Sequence, residues 1–200
     1  MDEEEYYKKC STPSTWFFSG VQLYNAAVIL LDIWTDAINK PIPRIITPPT
    51  KGELEQAIEH IAKCCDLFPV YTLLIGHALE NIAKGLEIME KTKHGSPQAS
   101  SPNLTVSSLG ISDHETLKRL DRLKISLSPE ERDAVQIAVD HVKWAGTYGV
   151  PKKPGEHFAS EDMPIVIKER RKYADALNPL FNRLCSEFRE KAFRYFGTIF

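Results

Sequence analysis

Glu80 and Lys84 stand four residues apart in an apolar segment, in the order that favours an ion pair across one helical turn. Leaving either charge alone in a protein core costs on the order of 3–5 kcal/mol, so a buried helix requires both. One interpretation is a structural pair that fixes the register of the helix, and we favour it. The other places both residues at a pocket for a phosphate or nucleotide, with Lys84 as a ligand-binding residue.

Two histidines extend this constellation. His77 lies three residues before Glu80, on nearly the same helical face, and we expect His114 to open the next short helix. A neutral imidazole there can accept a proton, so His77, His114 and Glu80 are the candidate catalytic residues for acid–base chemistry. The alternative is that each histidine is a hydrogen-bonded core residue, which is the commoner role in an apolar helix.

A second set of candidates combines aromatic rings with positive charge. The candidate ligand-binding residues in this set are Trp144, Tyr148, Lys152 and Lys153. Rings beside cations are typical of surfaces on which bases stack next to a phosphate backbone. A further basic group, which acidic neighbours dilute, comprises Arg170, Arg171 and Lys172.

Metal and cofactor sites are not indicated. His60 and Cys64 are one helical turn apart, but a structural zinc site needs four ligands and no second cluster of matching spacing follows. The sequence also has no phosphate-cradling glycine loop, nucleophile elbow or dinucleotide fingerprint. We therefore predict no metal and no cofactor.

The elements that position these residues have helical periodicity. A first helix is predicted from about Ser14 to Asn39, with an apolar stripe of Phe17, Val21, Tyr24, Val28, Leu31 and Ile38. Thr50 caps a second helix, and Pro69 either kinks that helix or starts a new one. The segment from Val70 to about Lys91 is expected at the centre of the bundle.

The second half of the chain contains three more helix signals. Ser112 and Glu115 form a predicted capping box, and Ser128 to Glu131 is a stronger one, with proline at the first helical position. The last helix is expected after Ser160, with its core stripe at Leu177, Phe181, Leu184, Phe188 and Ala192. Flexible loops are predicted at about 92–111 and 146–160. The prediction is a single all-α domain over residues 1–200, a bundle of five or six helices.

Bulk composition restricts the partners and the compartment. The 25 basic and 27 acidic side chains give a net charge of −2, so no global field attracts nucleic acid or anionic lipid. The most apolar stretch, residues 16–34, carries polar Gln22, Asn25 and Asp32, which predicts a buried core helix and no membrane span. The four cysteines show no disulfide-framework spacing, which favours reduced thiols and a cytoplasmic protein.

Three segments together resemble a known family. They are the helix from Tyr71 to Leu86, the Ser-Asp-His-Glu-Thr-Leu run at 112–117, and the Leu-Ser-Pro-Glu-Glu run at 127–131 followed by Lys-Trp-Ala-Gly-Thr-Tyr-Gly-Val-Pro at 143–151. Their order and spacing resemble proteins of the HEPN type (higher eukaryotes and prokaryotes nucleotide-binding). The resemblance covers about two-fifths of the chain and implies a HEPN-like bundle, commonly a homodimer. Such proteins act in toxin–antitoxin or antiphage systems, often as RNases.

The chain departs from the nuclease pattern of that family. HEPN RNases have an arginine, four to six intervening residues and then a histidine, and this spacing does not occur here. Thr147 and Gly149 also stand where the family turn has arginine and proline. We therefore expect a HEPN-like protein that binds a nucleotide, RNA or a partner protein without that motif. The alternatives are a metal-independent RNase that uses His77 and His114, and a structural interaction module.

Overall fold

The computed structural model describes residue 5 and residues 12–39, 50–92, 114–144 and 163–197, without the side chains of residues 38, 53, 54, 57–66, 144 and 163–169. These ranges contain no strand and five α-helices. The helices are α1 (Pro13–Asn39), α2 (Lys51–Thr92), α3 (Thr116–Arg122), α4 (Pro129–Trp144) and α5 (Met163–Phe196). The predicted all-α bundle is confirmed. Residues 41–49, and the predicted loops at 93–111 and 146–160, lie outside the described residues.

Helix α2 is the central element, as predicted from the apolar segment after Val70. It contacts each of the other four helices and is buried without interruption from Ile82 to Met89. The helix continues through Pro69, so that proline does not start a separate helix. A continuous rod of 42 residues therefore carries both Glu80 and the helical turns that orient it.

Helix α1 packs along α2, but with a different face from the predicted one. Its buried residues are Gly20, Ala27 and Trp34, which repeat every seven residues, and Phe17, which is three residues before Gly20, whereas Val21 and Val28 are half-buried. Gly20 eases the close approach, because a Cβ there would lie 3.0 Å from the side chain of Ile82, which would have to shift by a few tenths of an ångström.

The predicted buried core helix contributes Phe17, Ala27 and Trp34 to the core, but it buries only one of its faces. Phe18, Ile29 and Ile33 each expose more than half of their surface, so α1 buries one face and presents an apolar face outward. Residues 13–37 are long and apolar enough to cross a bilayer by length and composition, and 17% of that window is buried. One such helix near an N-terminus is weak evidence for a membrane span.

Helix α5 closes the core against α1 and α2. All five residues of its predicted stripe are buried, from Leu177 to Ala192. Phe188 stacks on Phe17 with ring centroids 4.6 Å apart, and Phe181 stacks on Tyr24 at 4.1 Å. These aromatic pairs connect the first and last helices of the chain.

The two predicted capping boxes have different outcomes. At the start of α4 the Ser128 hydroxyl accepts a hydrogen bond from the backbone N–H of Glu131 at 3.2 Å, and the Glu131 carboxylate accepts one from the Ser128 N–H at 2.8 Å. At α3 the prediction is wrong, because the helix begins at Thr116 and Glu115 occupies the N-cap without a side-chain cap bond. His114 therefore lies just before α3, and Ser112 lies outside the described residues.

Candidate functional site

The side chain of Glu80 is the centre of the candidate site. It is 3% exposed, and three basic side chains approach its two carboxylate oxygens. The ammonium of Lys84 lies 2.5 Å from Oε1, and Nδ1 of His114 lies 2.9 Å from Oε2. Nδ1 of His77 lies 3.8 Å from Oε2. The structure thus brings together the three predicted catalytic candidates and Lys84. Helical spacing in the sequence connects only His77, Glu80 and Lys84, and the contact with His114 crosses between segments.

Two local features produce this arrangement. On α2 the spacings of three and four residues place His77, Glu80 and Lys84 on one face. Gly76, the residue before His77, lets α4 pass closely, since a Cβ there would lie 2.8 Å from the carbonyl oxygen of Ala138. His114 reaches Glu80 from the segment that leads into α3, and buried Leu120 fixes α3 against the core.

The electrostatics of the cluster favour an ionised carboxylate. Burial by itself raises the pKa of Glu80, but the interactions with His77, Lys84 and His114 outweigh that effect and lower the pKa to about 2. An ionised carboxylate only accepts hydrogen bonds, so the proton in the His114 contact is on Nδ1. Glu80 therefore fixes the tautomer of His114 and leaves Nε2 as the ring nitrogen for a ligand.

Lys84 is enclosed by its partners. Its side chain is 8% exposed, and its ammonium lies 5.1 Å from the ring centroid of Trp16 in addition to its contact with Glu80. A cation between a carboxylate and an indole face is stabilised on both sides. This geometry favours the structural interpretation of the pair over direct contact between Lys84 and a ligand.

The two histidines are the accessible part of the cluster. The side chains of His77 and His114 are 36% and 46% exposed, and their ring centroids are 6.4 Å apart with an angle of 71° between the planes. Two imidazoles beside one buried carboxylate can donate hydrogen bonds to an anion when they are protonated, and can accept a proton when they are neutral. The structure therefore does not support the alternative in which both histidines are buried core residues.

A second charged cluster, absent from the sequence interpretation, lies two turns further along α2. The carboxylate of Glu87 lies 2.6 Å from Nε of Arg119, 3.2 Å from Nε of Arg122 and 3.5 Å from the ammonium of Lys91. Arg119 is completely buried. Burial raises the pKa of Glu87, but hydrogen bonds from Arg119 and Arg122 lower it further, so the net shift is downward. The signal in the sequence was the repetition of Glu80-x₃-Lys84 seven residues later as Glu87-x₃-Lys91.

The remaining predicted ligand-binding residues are not brought to this cluster by any described contact. Trp144 ends α4, and its side chain lies outside the described residues, as do Tyr148, Lys152 and Lys153. In the second basic group, Arg170 lies over the ring of Phe68 at 5.3 Å, while Arg171 and Lys172 are exposed.

An open groove of about 640 Å³ lies between the start of α4 and helix α5. Its charged lining residues are Glu130, Glu131, Lys172, Asp175 and Arg183. Arg183 donates hydrogen bonds to Glu131 and to the carbonyl of Ser126, so these two charges of the groove are paired with each other. Among the predicted site residues whose side chains are described, Lys172 lines this groove, and His77, Glu80, Lys84 and His114 do not.

Metal and thiol chemistry have few candidates in the part of the chain that the structure describes. There, no group of three or more histidine, cysteine, aspartate or glutamate residues is arranged to hold a metal ion. The side chains of His60 and Cys64 are not among those described. Cys185 is a buried free thiol whose pKa is raised to about 11 by burial, which suppresses the reactive thiolate.

Comparisons of the chain with protein-family models, with curated proteins and with solved structures found no match.

Proposed function

We propose that this chain is a HEPN-like binding protein that holds a phosphate group of RNA or of a nucleotide between His77 and His114. The observation that carries the proposal is the contact of one buried, ionised carboxylate with both half-exposed histidines. Glu80 orients His114 through Nδ1, and Lys84 balances the buried charge. In the imidazolium form, each ring also carries an N–H on its second nitrogen, which can donate a hydrogen bond to an anion.

The family resemblance supports the same assignment. Glu80, Lys84 and His114 belong to segments that resemble HEPN-type proteins, and the structure packs these segments against one another. The resemblance favours a homodimer within a toxin–antitoxin or antiphage system, and the spacing of the cysteines favours the cytoplasm. The absent arginine–histidine spacing removes the fixed positive charge that a HEPN nuclease would use on the scissile phosphate. Binding without catalysis is therefore the primary proposal.

The second candidate is a metal-independent RNase, and the hydrogen bond between Glu80 and His114 favours it. A carboxylate that holds the Nδ1 proton leaves Nε2 free to remove a proton from a ribose hydroxyl, as in general base catalysis. His77, with its ring centroid 6.4 Å from that of His114, would be the corresponding acid. In this mechanism each histidine is needed in a different protonation state.

Fluorescence anisotropy with a labelled single-stranded RNA tests the primary proposal. The wild-type protein should bind at moderate salt, and His77→Ala and His114→Ala should each weaken binding. Gln136→Ala is the control, because Gln136 is an exposed polar residue of α4 that bonds only within its own helix turn, to Asp140, among the contacts described. Binding that is unaffected by both histidine substitutions would contradict the proposed site.

The RNase alternative requires a separate measurement. Labelled RNA is incubated with the protein in the presence of a chelator, and the products are separated on a gel. Cleavage with a bell-shaped pH profile that disappears in both histidine variants would support the enzyme. Intact RNA under conditions where the wild-type protein binds it would leave the binding function and exclude catalysis on that substrate.

A further inference from the structure

Helix α1 carries a row of apolar side chains that the described helices leave exposed. We define the α1 outer face as the exposed residues on one side of this helix, which are Phe18, Gln22, Asn25, Ala26, Ile29 and Ile33. Its three large apolar side chains are each more than half exposed. The face extends over fifteen residues, which is about 22 Å at 1.5 Å per residue. Large apolar side chains in one row along a surface helix indicate an interaction surface.

The charges of α1 are concentrated near its C-terminal end. Asp32 and Asp36 are exposed there, next to the outer face, and the helix contains no lysine or arginine. Its first turn, Pro13 to Trp16, contains no acidic residue. Because the backbone dipoles make the first turn of a helix partly positive and the last turn partly negative, these carboxylates reinforce the negative end. No residue of α1 neutralises the positive end.

A second copy of α1 in the antiparallel direction fits both the apolar row and the charges. A two-fold axis beside Ala26, at the middle of the outer face, places Phe18 of each copy opposite the partner's Ile33. The small side chain of Ala26 lets the two helices approach each other closely at the axis. Asp36 of each copy then lies opposite the partner's Thr15, in the first helical turn, where a negative charge is stabilised.

The same carboxylates disfavour the other ways of covering this face. In a parallel pair of helices, Asp32 and Asp36 would each lie opposite the same carboxylate of the partner, and like charges repel one another. A lipid surface would have to accept Ile29 and Ile33 together with those carboxylates, whereas helices that lie in a membrane interface carry basic side chains on their polar face. The antiparallel second copy is therefore the occupant that the charges favour.

We propose that the α1 outer face is an isologous, antiparallel contact between two copies of this chain. The contact does not depend on the resemblance to HEPN-type proteins, because α1 lies outside the three segments that carry the resemblance. It also goes beyond the anion site of the proposed function, whose histidines are on α2 and in the segment before α3. One helix face about 22 Å long is at the small end of specific interfaces, so a dissociation constant in the micromolar range is expected.

Analytical ultracentrifugation of the full chain at micromolar concentrations measures the association. The wild-type protein should be in equilibrium between monomer and dimer. Ile29→Lys should weaken the dimer by at least about tenfold, because the two-fold axis brings two unpaired cations into the contact. The matched control is Phe193→Lys, which makes the same kind of change at a 59% exposed position of α5 and should leave the association unchanged. Circular dichroism verifies that both variants keep their helices.

Cysteine crosslinking tests the direction of the helices. Oxidation of a mixture of Phe18→Cys and Ile33→Cys proteins should give the disulfide-linked heterodimer, because the two positions lie opposite each other in the antiparallel pair. Each variant alone should crosslink no more than the wild type, which has four cysteines of its own. Strong crosslinking of Ile33→Cys with itself would indicate a parallel pair and overturn the proposal.

The remaining outcomes identify a different occupant. A dimer that is lost in Phe193→Lys but persists in Ile29→Lys would place the interface elsewhere, so the homodimer would stand and this contact would fail. A wild-type protein that stays monomeric also overturns the contact. If that monomer co-sediments with phosphatidylcholine vesicles and Ile29→Lys does not, the face binds lipid. If Ile29→Lys instead lowers only its melting temperature, another segment of the chain covers the face.

The anion site is tested separately from this contact. RNA binding by Ile29→Lys, measured by fluorescence anisotropy, should equal that of the wild type, because Ile29 is not among the contacts of Glu80, His77 or His114. Absence of RNA binding by both proteins would contradict the proposed function and leave the dimer contact standing. An RNA affinity that falls in Ile29→Lys would overturn the independence of the two surfaces.

Discussion

Nδ1 of His114 donates a hydrogen bond to the carboxylate of Glu80 at 2.9 Å, between residues that are 34 positions apart in the chain. The same carboxylate forms an ion pair with the ammonium of Lys84, which lies on the next helical turn. A single buried acid therefore connects the central helix to the segment before α3, and it is the group whose protonation matters most to the site.

Protonation of Glu80 should destabilise the fold in acid. Its folded-state pKa of about 2 is below the ordinary value of 4.5, so its stabilisation is present above pH 4.5 and is lost as the pH falls towards 2. The full difference corresponds to on the order of 3 kcal/mol, of which about 2 kcal/mol is lost by about pH 3. Urea unfolding at about pH 7 and pH 3 should therefore show a larger loss for the wild type than for Glu80→Gln. Glu55→Gln, which removes an exposed carboxylate of the same helix, is the control. Equal losses in the wild type and in Glu80→Gln would contradict the linkage.

Removing one member of the buried ion pair should cost far more than removing one member of an exposed pair. Lys84→Met leaves the buried carboxylate of Glu80 without its ammonium, and we expect a loss of about 3–5 kcal/mol in the free energy of unfolding. Lys51→Met breaks the exposed pair with Glu55 on the same helix and should cost less than about 1 kcal/mol. Chemical denaturation at neutral pH measures both. Similar small losses would show that Lys84 is solvated rather than buried.

Two glycines of α2 should respond to alanine in opposite directions. At Gly76 the new Cβ would meet the carbonyl of Ala138 and the side chain of Val142, each at 2.8 Å, so Gly76→Ala should push α4 away and destabilise the protein by about 1–3 kcal/mol. At Gly52, where the structure places nothing within 4 Å, alanine should stabilise the helix by about 0.5 kcal/mol. Melting temperatures that shift in the same direction for both variants would contradict the close approach of α2 and α4.

The cap of α4 should contribute measurably to stability. Ser128→Ala removes the acceptor for the backbone N–H of Glu131 and should cost about 1 kcal/mol. The matched control is Ser186→Ala, because the Ser186 hydroxyl donates to the carbonyl of Asn182 within an exposed part of α5. Thermal or urea unfolding compares the two, and a cost at Ser186 as large as that at Ser128 would argue against the cap.

Local signals in the sequence located most helix boundaries. The start of α4 was predicted correctly because its reciprocal cap involves residues only three apart, Ser128 and Glu131. The core stripe of α5 was also correct, because apolar residues at helical spacing leave one face to bury. The predicted beginning of α3 was wrong. Glutamate is the residue type expected at the third helical position of a capping box, but Glu115 occupies the N-cap itself.

Which face of a helix is buried depends on its neighbours. On α1 both Val21 and Ala27 are apolar, and the spacing of either agrees with a helical stripe, but Ala27 is completely buried and Val21 is only half-buried. The choice follows from the approach of α2, which passes close to Gly20, where a Cβ would lie 3.0 Å from the side chain of Ile82. Residue spacing within one helix has no information about that approach.

In the candidate site, too, one part follows from the sequence and another part follows from the packing of the helices. The amino-acid sequence by itself determined the Glu80–Lys84 pair and the place of His77 near it, because an α-helix converts a separation of three or four residues into contact. Only the tertiary structure decided that His114 completes the cluster and that Arg119 and Arg122 form a second one at Glu87. Those contacts cross between helices, and their geometry is set by how the apolar faces pack rather than by separation along the chain.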